Sequence, residues 1–186
     1  MNDKQVFQLL NGVEYSMWDY KKHKKLTWRD KEFEDDIYTY YNCCILKPWD
    51  VIKYRCGTCW DTAVCLKYYL EENGYQAQMC WMDNVNKINN EYTATHTFVI
   101  YKDKVTEIWS WMEYSWWQHR GIHKGLLGKD KLIRRVQDIW KKDTHDKRIT
   151  FFNPDVPIEN LLKLKVITQK DFILNAGGSG LEEFLE

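Results

Sequence analysis

One stretch decides the fold, and it reads G-T-C-W-D-T-A-V-C-L-K-Y-Y-L-E-E-N-G from residue 57 to residue 74. Thr58 with Asp61 three residues later matches the capping box that begins many helices, and the Asn-Gly pair at the end is typical of a helix stop. We therefore predict a helix from Cys59 to Asn73. Its buried stripe is expected to contain Cys59, Ala63, Leu66 and Leu70, which recur at helical spacing. The cysteine is thus predicted to lie in the first turn, on the inward side.

Three further segments follow this helix. Residues 75–83 alternate apolar and polar side chains and predict a strand, while the polar residues 84–95 predict a loop. The β-branched and aromatic runs at 96–101 and 105–113 are close in sequence, so they are predicted to pair as a hairpin. We expect an α+β fold in which the central, cysteine-bearing helix packs on an antiparallel sheet.

The C-terminal part is predicted to add flanking helices. Residues 129–142 carry apolar side chains at helical spacing, and Thr168 with Asp171 forms a second capping-box pattern. Together these elements predict a single domain over residues 1–175. Residues 176–186 read A-G-G-S-G-L-E-E-F-L-E, which we interpret as a flexible tail of the kind that an expression vector adds.

Charge and composition narrow the classes of function. The 186 residues carry 27 Lys and Arg against 27 Asp and Glu, and this balance disfavours nucleic acid or a membrane surface as partner. No apolar run approaches the ~20 residues of a membrane span, and the N-terminus lacks an export pattern, so we expect a cytoplasmic protein. Its six cysteines are then expected to be reduced thiols. The sequence gives no indication of oligomeric state.

Cys59 is the candidate nucleophile. The unpaired N–H groups and the positive dipole end of a helix N-terminus favour a thiolate, and Cys59 is predicted to lie there. A thiol enzyme also needs an imidazole that exchanges protons with the sulfur and the leaving group, and a third group that orients the ring. His96, which begins an apolar strand after a polar segment, is the best placed of the five histidines.

The geometry of the predicted hairpin suggests the third group. A two-residue turn at 103–104 would pair His96 with Trp111. Glu107 would then lie too far along the strand to bond the imidazole, whereas Glu113 would be a diagonal neighbour within reach. We therefore predict Glu113 as the orienting acid, and a different register would favour Glu107 instead.

This order of a Cys that begins a helix, a His that begins a strand and an acid that ends the next strand resembles the core of the transglutaminase-like superfamily. That superfamily is a branch of the papain-like cysteine enzymes. The resemblance is carried by K-P-W-D-V-I-K-Y-R-C-G-T-C-W-D (47–61), T-H-T-F-V-I-Y (95–101) and W-M-E-Y-S-W-W-Q-H-R-G-I-H (111–123). These stretches are similar to parts of transglutaminase-like domain proteins of bacteria and phages, and the similarity is best over residues 45–125.

The resemblance implies Cys59 as nucleophile, His96 as general base and acid, and Glu113 as orienting acid, where the family usually has Asp. It also implies a papain-like core, a protein or peptide substrate, and no cofactor or metal ion. The implied reaction is acyl transfer from a glutamine side chain or a peptide bond through a thioester, which water or an amine then releases. The candidates for a substrate groove are Trp60, Trp109, Trp111, Trp116 and Trp117.

Three other interpretations stay open. Cys56 and Cys59 form a C-x-x-C pair at a helix start, which is the arrangement of thiol oxidoreductases. The same pair could bind zinc with further ligands drawn from Cys43, Cys44, Cys80 or His96, although no second pair has zinc-like spacing. A fold of this kind can also serve as a binding module without catalysis.

Overall fold

The computed structural model of the protein describes residues 1–86, 91–125, 128–144, 149 and 151–177. Within these ranges the α-helices are α1 (Asp3–Gln8), α2 (Asp36–Asn42), α3 (Pro48–Tyr54), α4 (Cys59–Glu72), α5 (Lys129–Asp143) and α6 (Gln169–Asn175). The strands are β1 (Glu14–Tyr15), β2 (Met17–Asp19), β3 (Lys24–Leu26), β4 (Cys43–Ile45), β5 (Cys56–Gly57), β6 (Gln76–Asn86), β7 (Glu91–Lys102), β8 (Trp109–Glu113), β9 (Gly121–His123), β10 (Phe151–Asn153) and β11 (Ile167–Thr168). Short 3-10 helices lie at Lys31–Glu34, Trp117–His119 and Leu161–Lys163.

The described strands form two antiparallel sheets and one parallel pair. The larger sheet has the order β10-β6-β7-β8-β9, and the smaller has the order β11-β4-β2-β3. The parallel pair joins β1 to β5, just before the cysteine-bearing helix. Helices combined with antiparallel sheets confirm the predicted α+β class. None of the helices in the described ranges is long and apolar enough to cross a bilayer.

The larger sheet lies between two helices. Helix α4 packs on one face, where its predicted stripe is buried with residues of β6, β7 and β8. Helix α5 packs on the opposite face through Val136 and Trp140, which share a second cluster with Phe98 and Ile100 of β7. Because side chains alternate along a strand, each helix contacts a different set of side chains from the same strands.

The hairpin of β7 and β8 corrects the predicted register. Trp111 pairs with Ile100 and not with His96, so the pairing differs by four residues from the prediction. The connection is longer than a two-residue turn because Asp103 organises a loop, in which its carboxylate accepts from the N–H groups of Val105 and Thr106. A displacement by an even number of residues leaves every side chain on its predicted face of the sheet.

The predicted loop at 84–95 is largely strand. β6 continues to Asn86 and β7 begins at Glu91, whereas residues 87–90 of the predicted loop lie outside the described residues. The pairing register changes between Asp83 and Val85, so the ladder passes through a β-bulge. Polar composition misled the prediction because the ladder is built from backbone groups, which polar residues supply as well as apolar ones.

The C-terminal end of the domain also differs from the prediction. Ala176, the first residue of the predicted tail, is fully buried in the core, and its carbonyl accepts a hydrogen bond from the side chain of Asn153. The packed chain therefore extends beyond residue 175. Residues 178–186 of the predicted tail lie outside the described residues.

Asp61 fixes the start of α4. One oxygen of its buried carboxylate accepts from the backbone N–H and from the hydroxyl of Thr58, both at 2.7 Å. The other oxygen accepts from the N–H of Leu46, which ties the helix start to the end of β4. A side chain at Gly57 would lie 2.9 Å from the Asp61 Cβ, so only glycine fits there. Burial raises the pKa of Asp61 to about 6, although its hydrogen bonds act in the opposite direction.

We predict that Asp61→Ala lowers the free energy of unfolding by about 3 kcal/mol, because it leaves buried donors of Thr58 and Leu46 without an acceptor. The matched control is Asp171→Ala, which removes the capping box of α6, where the partly exposed Asp171 accepts from the backbone N–H and the hydroxyl of Thr168. That control should lose about 1 kcal/mol. Urea unfolding followed by circular dichroism measures both, and equal losses would contradict the special role of Asp61.

Candidate active site

His96 and Glu113 form a buried pair. His96 Nε2 lies 2.7 Å from Glu113 Oε2, and the two residues are 4% and 1% exposed. The second carboxylate oxygen accepts from the backbone N–H of Trp116 at 3.0 Å and from the Ser115 hydroxyl at 3.2 Å. Both oxygens of the carboxylate are therefore held, and the imidazole is tied to a fixed acceptor.

The charges of this pair stabilise each other. Burial lowers the pKa of His96, but the Glu113 carboxylate and hydrogen bonds to Cys59 and Glu113 outweigh burial and raise the pKa to about 10. Burial raises the pKa of Glu113, but the charge of His96 and the hydrogen bonds to its oxygens bring the pKa below its ordinary value. We infer that the imidazole is positively charged and the carboxylate negatively charged at neutral pH.

Cys59 lies beside the same imidazole. It is the first residue of α4, its residue surface is 7% exposed, and its side chain interacts with His96 closely enough to raise the pKa of the ring. Because Glu113 occupies Nε2, the remaining ring nitrogen, Nδ1, is the one available to the sulfur. The structure therefore brings the three residues singled out by sequence, Cys59, His96 and Glu113, into one connected group.

Aromatic rings surround the imidazole. The Trp140 ring is stacked on it, with centroids 5.0 Å apart and planes 12° from parallel. Phe98 is also near parallel at 6.1 Å, and Trp116 meets the imidazole edge to face at 5.3 Å. Ring faces of this kind stabilise a cation and exclude water from it. The sequence placed Trp140 in the core, and helical spacing gives no signal that its ring meets a histidine.

Tyr15 is a second residue near the site that the sequence did not indicate. Its backbone pairs with Gly57, two residues before Cys59, and the residue is 46% exposed. The negative charges of Cys59, Asp61 and Glu113, together with burial of the hydroxyl, raise the pKa of Tyr15. Tyr15 is therefore a partly exposed residue whose hydroxyl senses the charges of this site.

Glu107, the alternative acid, lies away from this group. It is in the loop between β7 and β8 with a φ of 58°, its side chain is 74% exposed, and it pairs with Lys102 at 3.1 Å. The observed register does differ from the predicted one, which was the condition for Glu107 to reach His96. In the observed register, however, Glu107 lies in the loop and outside the strand. The hypothesis that Glu107 orients His96 is therefore wrong.

The five tryptophans proposed for a groove do not form one wall. Trp116 contacts His96, while Trp111 is buried and stacks on His123 with centroids 4.3 Å apart. Trp60 stacks on Phe172, and its indole N–H has no hydrogen-bond partner within the described part of the chain. Trp109 packs at the margin of the α5 cluster, and Trp117 is 75% exposed. Among these five, only Trp116 has a ring contact with the imidazole in the described residues.

The remaining thiols have different surroundings. Burial raises the pKa of Cys43, Cys44, Cys56, Cys65 and Cys80. Cys56, the partner of Cys59 in the C-x-x-C pair, is fully buried, and its sulfur accepts from the Ser16 hydroxyl at 3.2 Å. All six cysteines are free, and the described residues contain no cluster of three or more His, Cys, Asp or Glu able to hold a metal ion.

The paired charges predict a pH dependence of stability. Because the folded protein raises the pKa of His96 from 6.5 to about 10, the stabilisation is complete below pH 6.5 and is lost as the pH rises towards 10. Glu113→Gln removes the carboxylate charge while burial remains, so this loss between pH 6.5 and 10 should largely disappear. Urea unfolding across that pH range measures the free energy of unfolding of each variant, and Glu107→Gln, a change at an exposed residue, is the control. Parallel profiles for the two variants would contradict the pairing.

No protein-family model and no curated protein matches this chain.

Proposed function

We propose that this protein is a cysteine-dependent enzyme that transfers the acyl group of an amide in a protein or peptide to water or to an amine. The observation that carries the proposal is the buried connection of Cys59 through His96 to Glu113. A thiol beside an imidazole, with a fixed acid on the far ring nitrogen, is the arrangement that nucleophilic catalysis by cysteine requires. We also propose that α4 with β6, β7 and β8 corresponds to the papain-like core of the transglutaminase-like superfamily.

The first step forms a thioester. His96 already carries its proton at neutral pH, so the sulfur of Cys59 attacks the carbonyl carbon of the amide as a thiolate paired with the imidazolium. Negative charge then develops on the carbonyl oxygen, and N–H groups in the first turn of a helix have no intrahelical acceptor. Cys59 is the first residue of α4, so its own N–H is placed to hold that oxyanion.

The leaving group departs with a proton from His96. When the C–N bond breaks, the imidazolium gives its proton to the nitrogen, and ammonia or an amine leaves while the acyl group stays on sulfur. Water or a second amine then attacks the thioester, His96 accepts its proton, and the C–S bond breaks. That proton stays on the ring and the sulfur leaves as a thiolate, so the cycle ends with the same charged imidazole and thiolate with which it began.

Glu113 has a separate role in this scheme. Its carboxylate stays ionised, orients the ring through Nε2 and stabilises the charged imidazole, and it need not accept the proton itself. Its two further hydrogen bonds, from Trp116 and Ser115, keep the carboxylate in place during these proton transfers. An acid one methylene longer than the usual Asp reaches the ring from the end of β8.

The structure gives less support to the alternatives. A thiol oxidoreductase needs a reactive first cysteine, yet Cys56 is fully buried and its pKa is raised to about 12. Zinc binding by the pair would need further ligands, and the described residues offer no such cluster. A binding module without catalysis shares the fold and differs only in the reactivity of Cys59, so reactivity is the property to measure.

We predict that iodoacetamide modifies Cys59 at least about tenfold faster than any other cysteine, because burial raises the pKa of the other five thiols. His96→Ala should slow modification of Cys59 by about a hundredfold. Peptide mass analysis of a time course gives the six rates. The control is His23→Ala, a change at an exposed histidine, which should leave all six modification rates unchanged.

The reaction itself is tested with glutamine-containing peptides, with and without a primary amine. Release of ammonia indicates a deamidase, an amine adduct indicates transamidation, and shorter peptides indicate a protease. Cys59→Ala should abolish each product, whereas Cys65→Ala, a change on the same helix, should retain it. Equal labelling of all six cysteines together with turnover that survives Cys59→Ala would contradict the proposed function.

A further inference from the structure

Helix α5 approaches the imidazole from the face of the sheet opposite α4. Its inner side contains the buried residues Leu132, Ile133, Val136 and Trp140. The first three fill the cluster beneath the sheet, while Trp140 continues to the imidazole and lies flat against it. The same indole also meets Trp116 edge to face, with centroids 5.4 Å apart and planes at 83°. Trp140 thus contacts His96 itself and Trp116, which also surrounds the imidazole.

The C-terminal end of α5 is fastened beside this contact. Asp143, the last residue of the helix, has its Oδ2 2.8 Å from His119 Nε2. The His119 ring lies 4.3 Å from Trp116, and the carbonyl of His119 lies 2.6 Å from His123 Nε2. This hydrogen bond therefore connects the helix end to the short turn that follows Trp116. Its two side chains are about one quarter exposed, at 25% and 27%.

We infer that Trp140 is a positioning residue, which holds the plane of the His96 imidazole, and that the His119–Asp143 pair keeps Trp140 in that place. The inference rests on the proposed function, because the plane of the ring matters for catalysis only if Cys59 reacts. It adds to that function a helix and a hydrogen-bonded side-chain pair that lie outside the three reacting residues and control the same site.

The geometry of an imidazole explains why a flat neighbour matters. Both ring nitrogens bond in the plane of the ring, so a tilt of that plane weakens the bonds to Glu113 and to Cys59 together. A parallel indole face resists such a tilt and occupies neither nitrogen. An aliphatic side chain of similar volume would fill the space and exclude water, but it offers no flat face.

Three variants separate positioning from simple packing. Trp140→Leu keeps an apolar side chain and removes the flat face, and Trp140→Phe keeps a flat face of smaller area. Val136→Ala is the matched control, since it opens a cavity one turn earlier on the same buried side of α5. All three are compared with the unchanged protein by urea unfolding, so that any general loss of stability is known.

The decisive readout is the proton in the His96–Glu113 hydrogen bond, observed by NMR. Its exchange with water should become about tenfold faster in Trp140→Leu, stay within about twofold in Trp140→Phe, and be unchanged in Val136→Ala. Of these three variants, only Trp140→Leu should slow the modification of Cys59 by iodoacetamide, by about tenfold. Asp143→Asn and His119→Gln should change both rates in the same direction by about twofold, because a single partly exposed hydrogen bond contributes little.

The two proposals fail in different ways. If Trp140→Leu leaves the exchange of this proton unchanged, or if Val136→Ala accelerates it equally, Trp140 is not a positioning residue, whatever Cys59 does. If Cys59 in the unchanged protein reacts no faster than the other thiols, the proposed function is overturned, and the proton exchange still decides what Trp140 does. If Trp140→Leu does not fold, Asp143→Asn and His119→Gln are compared with Val136→Ala, and exchange in both that is no faster than in Val136→Ala contradicts the inference.

Discussion

The bond between His96 and Glu113 is the constraint on which the rest of the site depends. Two ionised groups lie in the core, 2.7 Å apart and almost fully removed from water. The removal of either partner from such a pair costs about 3–5 kcal/mol, because it leaves a buried charge without compensation. Hydrogen bonds to the carboxylate and aromatic ring faces around the imidazole stabilise the two buried groups. Those contacts are why the turn after β8 and helix α5 belong to the site.

The sulfur is placed by a different set of interactions. Asp61 joins the start of α4 to the end of β4, and the absence of a side chain at Gly57 allows that approach. Cys59 therefore begins a helix whose first turn is anchored to both the small sheet and the core. The thiol of Cys59 therefore lies between two rigid elements, the anchored start of α4 and the strand pair of β7 and β8.

Local chemistry explains which features could be predicted from sequence. The start of α4 was predictable because a capping box involves residues three apart, and the apolar stripe of the helix repeats along one element. The hairpin register was not, because Asp103 bonds the backbone of its own loop and so lengthens a turn that composition had suggested was tight. Glu113 is nevertheless near His96 in both the predicted and the observed register. A displacement by four residues keeps the Glu113 side chain on the same face of the sheet, and in each register Glu113 is a diagonal neighbour of His96.

Contacts between distant elements account for what sequence missed. Tyr15 reaches the neighbourhood of Cys59 through the pairing of β1 with β5, and Trp140 reaches His96 from a helix that is separated from it by two strands. Neither contact leaves a periodic pattern in its own segment, so both residues look like ordinary strand and core positions. The parts of the site that a single sequence could identify are those built from one helix start and one hairpin.

The charge on the imidazole tests the central claim most directly. With histidine labelled by ¹⁵N, the ring nitrogens of His96 can be observed at neutral pH in the folded protein. We expect both nitrogens to carry a proton, because Glu113 and Cys59 raise the pKa of the ring to about 10. A neutral ring, with one nitrogen unprotonated at that pH, would contradict the buried ion pair and with it the chemistry proposed for Cys59.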